Sequence, residues 1–154
     1  MPANIKIVCQ NRKARHDYSI LDEYEAGLVL LGTEVKSLRL GRANIKDSHA
    51  KIRRGEIFLH NMHIGAYPFA AYGNHDPERP RKLLLNKQEI RRLTGKIIER
   101  GHTLIPLKIY FKDGKAKVLL ALAKGRRKYD KRQAIRNREE KRELDRAKRE
   151  RTKV

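Results

Sequence analysis

Of the 38 Leu, Ile, Val and Phe residues in this chain of 154, 35 lie in residues 1–125, and only Ile135, Leu144 and Val154 follow. Any core must therefore come from residues 1–125, because burial of apolar surface is the main term that offsets the entropy of ordering a chain. Residues 126–154 contain no Gly and no Pro and carry 14 Lys or Arg against 6 Asp or Glu. They cannot bury enough to fold alone and are expected to be disordered in isolation. Pairs such as Glu139 with Arg142 and Asp145 with Arg149 nevertheless favour a helix once a partner supplies a surface. Fully wound, the segment would reach about 43 Å at ~1.5 Å per residue. The expected organisation is a folded domain over 1–125 and a basic tail over 126–154.

The charge divides at the same point. Residues 1–125 hold 24 basic against 12 acidic side chains, and the whole chain reaches +20. Such a charge bears on association more than on fold, since self-repulsion opposes compaction and a polyanion relieves it. Solubility alone needs only a few net charges, so nucleic acid is the first expectation. A membrane is not expected. The most basic segment lacks the apolar face of a membrane-surface helix, no run approaches the ~18 apolar residues of a span, and Met1 to Gln10 lacks the apolar stretch of a secretory signal. The expected location is cytoplasmic. The single cysteine, Cys9, offers neither a disulfide framework nor a thiolate metal cage, and it reads as a packing residue.

Within the folded part, Ala26 to Gly32 reads as a short buried strand, with Thr33 as the N-cap of a helix that Gly41 ends. Val35 and Leu38 would face the core, leaving Lys36 and Arg39 on a solvent-facing stripe where two cations can grip successive phosphates. Residues Ala50 to Ile64 read as a hairpin turning at Arg54-Gly55, with Ala50, Ile52, Ile57 and Leu59 on one face. A second hairpin, Leu104 to Ala123, turns at Asp113-Gly114. A two-residue turn there pairs Ile109 with Val118 and Leu107 with Leu120 towards the core, and Tyr110 with Lys117 outward, with Lys108 on the same outer face. Cations beside an aromatic ring suit a phosphate backbone and a stacked base. Gly65 to Lys82, with three prolines, reads as a long loop. Asn86 with Glu89 forms a capping-box pattern opening a helix whose buried face is Ile90, Leu93 and Ile97 and which Gly101 closes.

Short antiparallel strands with few helices suit a small closed barrel, and the oligonucleotide-binding type is the leading architecture: mainly β, with about three flanking helices and the basic tail. Catalysis is not called for. His60 and His63 would point to opposite faces of a strand, and the acidic cluster Asp17, Asp22, Glu23 and Glu25 reads as neutralising Arg12, Lys13 and Arg15 rather than holding Mg²⁺. No phosphate-binding glycine loop, serine nucleophile motif or paired-histidine zinc motif occurs, and no cofactor is expected.

Five separated blocks carry a further signal: Asn11-Arg12-Lys13-Ala14-Arg15-His16-Asp17-Tyr18, Tyr24-Glu25-Ala26-Gly27, Gly32-Thr33-Glu34-Val35-Lys36-Ser37-Leu38-Arg39, Arg81-Lys82-Leu83-Leu84-Leu85-Asn86, and Ala123-Lys124-Gly125 followed by Asp130-Lys131-Arg132. In this order the chain resembles the SmpB family, the SsrA-binding proteins of bacterial trans-translation. The resemblance implies an oligonucleotide-binding-type barrel that holds the tRNA-like part of transfer-messenger RNA (tmRNA) and delivers it, with elongation factor Tu, to a stalled ribosome. The tail would then enter the empty mRNA channel and the decoding centre of the small subunit. On this sequence the family's barrel RNA-binding positions fall on Glu25, Leu84 and Lys117, with Asn11, Arg12 and His16 in a motif implied to line RNA. The outward Lys36, Arg39 and Tyr110, and Asn86 beside Leu84, complete the candidate barrel site. In the tail the resemblance places a stacking ring at Tyr129 and ribosome contacts at Asp130, Lys131, Arg132 and Ile135; the likeness runs from about Asn11 to Arg132, and beyond Ile135 the family varies. A ribosomal or other translation-associated barrel would share the charge and the tail but not the five blocks, and a metal-dependent nuclease on a similar barrel is the enzymatic alternative.

Overall fold

The Arg54-Gly55 and Asp113-Gly114 turns form as the sequence predicts. All four residues have positive φ, at 53°, 75°, 50° and 81°, the backbone of two-residue turns whose twist matches that of the flanking strands. The computed structural model describes residues 4–125 and 128–152, with side chains at every position but 99, 100, 128–135, 137 and 150–152. In chain order the elements are β1 (Ile5–Gln10), α1 (Ala14–Asp17), β2 (Tyr18–Leu28), α2 (Gly32–Arg39), β3 (Ala43–Asn44), β4 (His49–Arg53), β5 (Glu56–His60), β6 (His63–Ile64), β7 (Arg81–Leu84), α3 (Lys87–Arg100), β8 (Thr103–Lys112), β9 (Lys115–Gly125) and α4 (Lys128–Thr152).

The fold is mainly β. Seven strands run in the order β1-β8-β4-β5-β7-β2-β9, and a further pairing of β8 with β9 closes six of them into a ring. Strand β8 serves three neighbours. Leu104 near its start meets Ala50 of β4, while Lys108 to Lys112 pair with β1 along its second half. Closure leaves few strand edges open to chance pairing. Strands β3 and β6 form a separate two-stranded sheet. Inside the ring, Ile57, Leu59, Leu83, Leu93, Leu104, Ile109, Val118 and Leu120 pack in one core, and a smaller cluster holds Ala14, Ile105, Leu107, Ala121 and Ala123.

Four local expectations need correction. The strand placed at Ala26 to Gly32 runs instead from Tyr18 to Leu28, and Val29 and Leu31 are exposed. Helix α2 then begins at Gly32 with Leu31 as its N-cap, so Thr33 lies inside it. In the second hairpin, Ile109 faces Val118 and Tyr110 faces Lys117 as expected, but the register slips between Pro106 and Lys108, and Leu120 opposes Pro106 rather than Leu107. The physical cause is Pro106, which has no N–H to give the ladder, so a bulge forms there. Leu107 turns into the smaller cluster, and its carbonyl accepts the Asn11 N–H at 2.7 Å. The first hairpin holds its predicted register, Ala50 to Leu59 and Ile52 to Ile57, but ends at His60. His60 and His63 therefore sit in different sheets.

Residues Met1–Lys124 and Gly125–Val154 group as two units. The second contains α4, whose described side chains are all exposed. Among the described residues no helix is long and apolar enough to cross a membrane.

Candidate nucleic-acid interface

Strand β2 lies between β7 and β9 in the ring, which brings Glu25, Leu84 and Lys117 onto three adjacent strands. Leu84 faces Gly27, two residues beyond Glu25. A Cβ on Gly27 would stand 3.3 Å from the Leu84 Cβ, a close approach that Leu84 could take only by giving way a few tenths of an ångström. Arg81 and Leu83 point inward and are buried, which turns Leu84 outward by strand alternation and leaves it 54% exposed. Leu84 and Lys117 line one open recess of about 300 Å³ together with Gly27, Leu30, Val35 and Lys115.

Glu25 is held from the hairpin. The Tyr110 hydroxyl donates to its carboxylate at 2.5 Å, and the Lys112 ammonium lies 3.3 Å away. The Tyr110 bond, then Lys112 and Lys117, outweigh what burial adds and hold this carboxyl below the usual carboxylate range. It is ionised at neutral pH, an acceptor fixed in place among cations.

Tyr110 is the correction in this region. It lies on the predicted face and opposite Lys117, but it is only 3% exposed. Its ring sits under the Lys108 ammonium, 5.4 Å from the centroid, and its hydroxyl is spent on Glu25. Burial, then the neighbouring carboxylate, raise the pKa of that hydroxyl. Tyr110 therefore positions Glu25 and has no open ring face to offer a base.

The other candidates fall into neighbouring groups. Arg39 lines a recess with Asn4, Lys6, Phe111 and Gly114, and the last two also line the Leu84 recess, so the two adjoin. Asn11 and Arg12 line another recess with Arg15 and Lys108, which ties them to the ring of Tyr110. Buried Ala14 anchors this turn in the smaller cluster. His16 is exposed, with Nδ1 3.3 Å from Asp17. Lys36 stands apart, its ammonium over the Tyr67 ring. The Asn86 side chain caps α3 by accepting the Gln88 N–H at 3.1 Å, so its carbonyl oxygen is already engaged. Tyr129, Asp130, Lys131, Arg132 and Ile135 lie on α4, with side chains outside the described residues.

The acidic cluster is divided among partners. Glu23 pairs with Arg15 at 3.0 Å, Asp22 accepts from Tyr24, and Glu25 serves Tyr110 and Lys112. Among the described residues no group of three or more metal-ligating side chains comes together. Cys9 packs against the core, and its thiol is pushed up to about 11 by burial, only partly offset by a bond with the Ile109 backbone.

Sequence reasoning missed Lys112, Lys115 and Lys6 on this face. The first two had a signal, since Lys112 and Lys115 are cross-strand partners in the same alternation that places Tyr110 and Lys117. It also missed Glu34 and Arg81, both fully buried. Glu34 accepts from Arg81 at 2.6 Å, from Arg79 at 2.5 Å and from the Leu31 N–H at 2.8 Å. Arg81 also donates to the Met62 carbonyl. This network ties α2 to β7 and so fixes the strand that presents Leu84.

The family described as SmpB protein matches residues 8–150 of the chain. The SsrA-binding protein of Syntrophobacter fumaroxidans is 62% identical over 146 residues, covering 95% of this chain and 91% of that one. That of Geobacillus thermodenitrificans is 58% identical over 149 residues, covering 97% and 96%. A solved chain from work described as "tmRNA-SmpB: a journey to the center of the bacterial ribosome" is similar at a TM-score of 0.66 and 51% identity, covering 88% of this chain and 96% of that one.

Proposed function

Because the chain belongs to the SmpB family, we propose that it is the RNA-binding adaptor of trans-translation, binding tmRNA and acting with it on stalled ribosomes. The observation that carries this reading to particular residues is the convergence of Glu25, Leu84 and Lys117 on β2, β7 and β9 beside one recess. Those three strands supply an ionised acceptor, an exposed apolar contact and a cation. The tRNA-like domain of tmRNA would set a base amino group or a 2′-hydroxyl against Glu25, a base or ribose face against Leu84, and a phosphate against Lys117. Charge supplies the general attraction, and the fixed uncharged and acidic groups supply selectivity.

The finer steps belong to the same proposal. The domain over 1–125 binds the tRNA-like domain, and elongation factor Tu accompanies the complex to the ribosome in the cytoplasm. The tail over 126–154, disordered in isolation, enters the empty mRNA channel and decoding centre as a helix. There Tyr129 would stack on a base and Asp130, Lys131, Arg132 and Ile135 would meet rRNA. The high density of good helix formers in 128–152 supports this.

Direct titration of Glu25→Ala, Leu84→Ala and Lys117→Ala with the tRNA-like RNA tests the face. Each should weaken binding while leaving the unfolding curve in place, and Lys117→Ala should also reduce the salt slope by about one. Unchanged affinity in all three would remove this face from the reading.

A further inference from the structure

Between β6 and β7 the loop 65–80 carries three aromatic rings that the core does not use. Tyr72 is fully exposed and Phe69 is 76% exposed, and Phe69 stands edge-on to Tyr67 with ring centroids 5.6 Å apart and planes at 73°. The Lys36 ammonium lies 5.5 Å from the Tyr67 centroid.

The loop is nevertheless held in one shape. Asn74 brackets Tyr67, its side chain accepting the Tyr67 N–H at 2.8 Å and donating to the Tyr67 carbonyl at 3.0 Å. The Ala70 N–H closes a turn on that same carbonyl at 3.3 Å. Buried His75 follows at once, its ring nitrogens each 2.9 Å from the Thr33 hydroxyl and the Ile64 carbonyl. At the loop's end Arg81 donates to the Asp76 and Pro77 carbonyls, and near its start Arg42 reaches the Ala66 carbonyl. Rings kept unburied on a braced loop can meet a flat ligand without a further ordering cost.

We propose that Phe69 and Tyr72, with Tyr67 under the Lys36 ammonium supporting Phe69 edge-on, form a stacking site for unpaired nucleotides of RNA, made of residues other than those around Leu84 and Lys117. Base stacking on aromatic side chains needs an open π-face and nearby cations for the sugar-phosphate chain. Lys36, over the Tyr67 ring, and Arg42, which reaches the Ala66 carbonyl, provide the cations on the α2 side, while the loop's acids, Asp76 and Glu78, follow the buried His75. An apolar peptide is the poorer occupant. Fully exposed Tyr72 has no wall against which a peptide side chain could be enclosed, and the surrounding charge favours a polyanion.

The chain contains no tryptophan, so Tyr72→Trp gives a single reporter in the full-length protein. It is titrated with an unstructured oligoribonucleotide, with the tRNA-like RNA and with small ribosomal subunits. Quenching by the oligoribonucleotide is expected and tests the site without relying on the adaptor reading. The other two arms show which RNA supplies the base. Phe69→Ala combined with Tyr72→Ala should weaken binding about tenfold, by the same factor at low and high salt because a ring releases no counterions. Phe69→Tyr and Tyr72→Phe should keep the affinity. Absence of quenching in all three arms, or affinity within twofold of the parent for the double alanine variant, overturns the proposal. Loss of subunit binding without quenching would assign the loop to a protein surface and overturn it equally.

Discussion

Glu34 shows how much of this molecule rests on one side chain. Its carboxylate and the Arg81 guanidinium are both fully buried, and Glu34→Gln would leave Arg81 without its counter-charge in the interior. Removing one partner of a buried pair costs about 3–5 kcal/mol, and urea unfolding should show a loss of that size. The pH dependence has a definite sign. Burial alone would raise the Glu34 pKa, but Arg79, the Leu31 N–H and Arg81 outweigh it and hold it below its ordinary value. The unfolded chain therefore takes up this proton more readily. The stabilisation is complete above the ordinary carboxyl value of ~4.3 and is lost as pH falls through the lower folded value. Glu34→Gln should accordingly flatten the fall in stability below about pH 4, and an unchanged acid limb would contradict the assignment. None of this was legible locally, because Arg79 and Arg81 lie 45 and 47 positions from Glu34. By contrast, Tyr110 facing Lys117 followed from alternation alone, while the bond from the Tyr110 hydroxyl to Glu25 spans 85 positions.

At the scale of elements, what the sequence declared was what local chemistry decides. The two tight turns, the registers of Ile52 with Ile57 and Ile109 with Val118, and the left-handed Gly101 that closes α3 at φ 63° all form as read. The start of β2 was hidden. Asp22, Glu23 and Glu25 interrupt its apolar pattern, and pairing with neighbouring strands holds a segment that composition would leave as a loop. The bulge at Pro106 could have been read from the proline itself, since that residue cannot serve an interior ladder. Leu84, from a run that reads as core, is exposed because alternation spends the inward places on Arg81 and Leu83. Asn86 yields the prediction for this scale. As the N-cap of α3, its change to Ala should cost about 1 kcal/mol, whereas Asn86→Asp should keep the cap and nearly all of the stability. Equal stability of the Ala variant and the parent in thermal unfolding would show that the cap contributes nothing and would free Asn86 for an RNA role.

For the whole molecule the decisive quantity is how the +20 is divided, +12 on residues 1–125 and +8 on residues 126–154. Every buried apolar side chain among the described residues lies between Ala14 and Ala123, so cutting the chain after Gly125 removes none of the core described. The shortened protein should unfold at the same denaturant concentration as the parent. If the barrel alone grips the tRNA-like RNA, its affinity and salt slope for that RNA should also persist, because the phosphates neutralised there are met by Lys117 and its neighbours. Binding to small ribosomal subunits should instead lose affinity and salt slope together, since each tail cation that meets a phosphate adds about 0.7–0.9 to that slope. Peptide tagging on stalled ribosomes should be abolished. A truncated protein that still supports tagging would show that the tail's charge serves only general attraction. One that loses the tRNA-like RNA would show that both units act on the same partner.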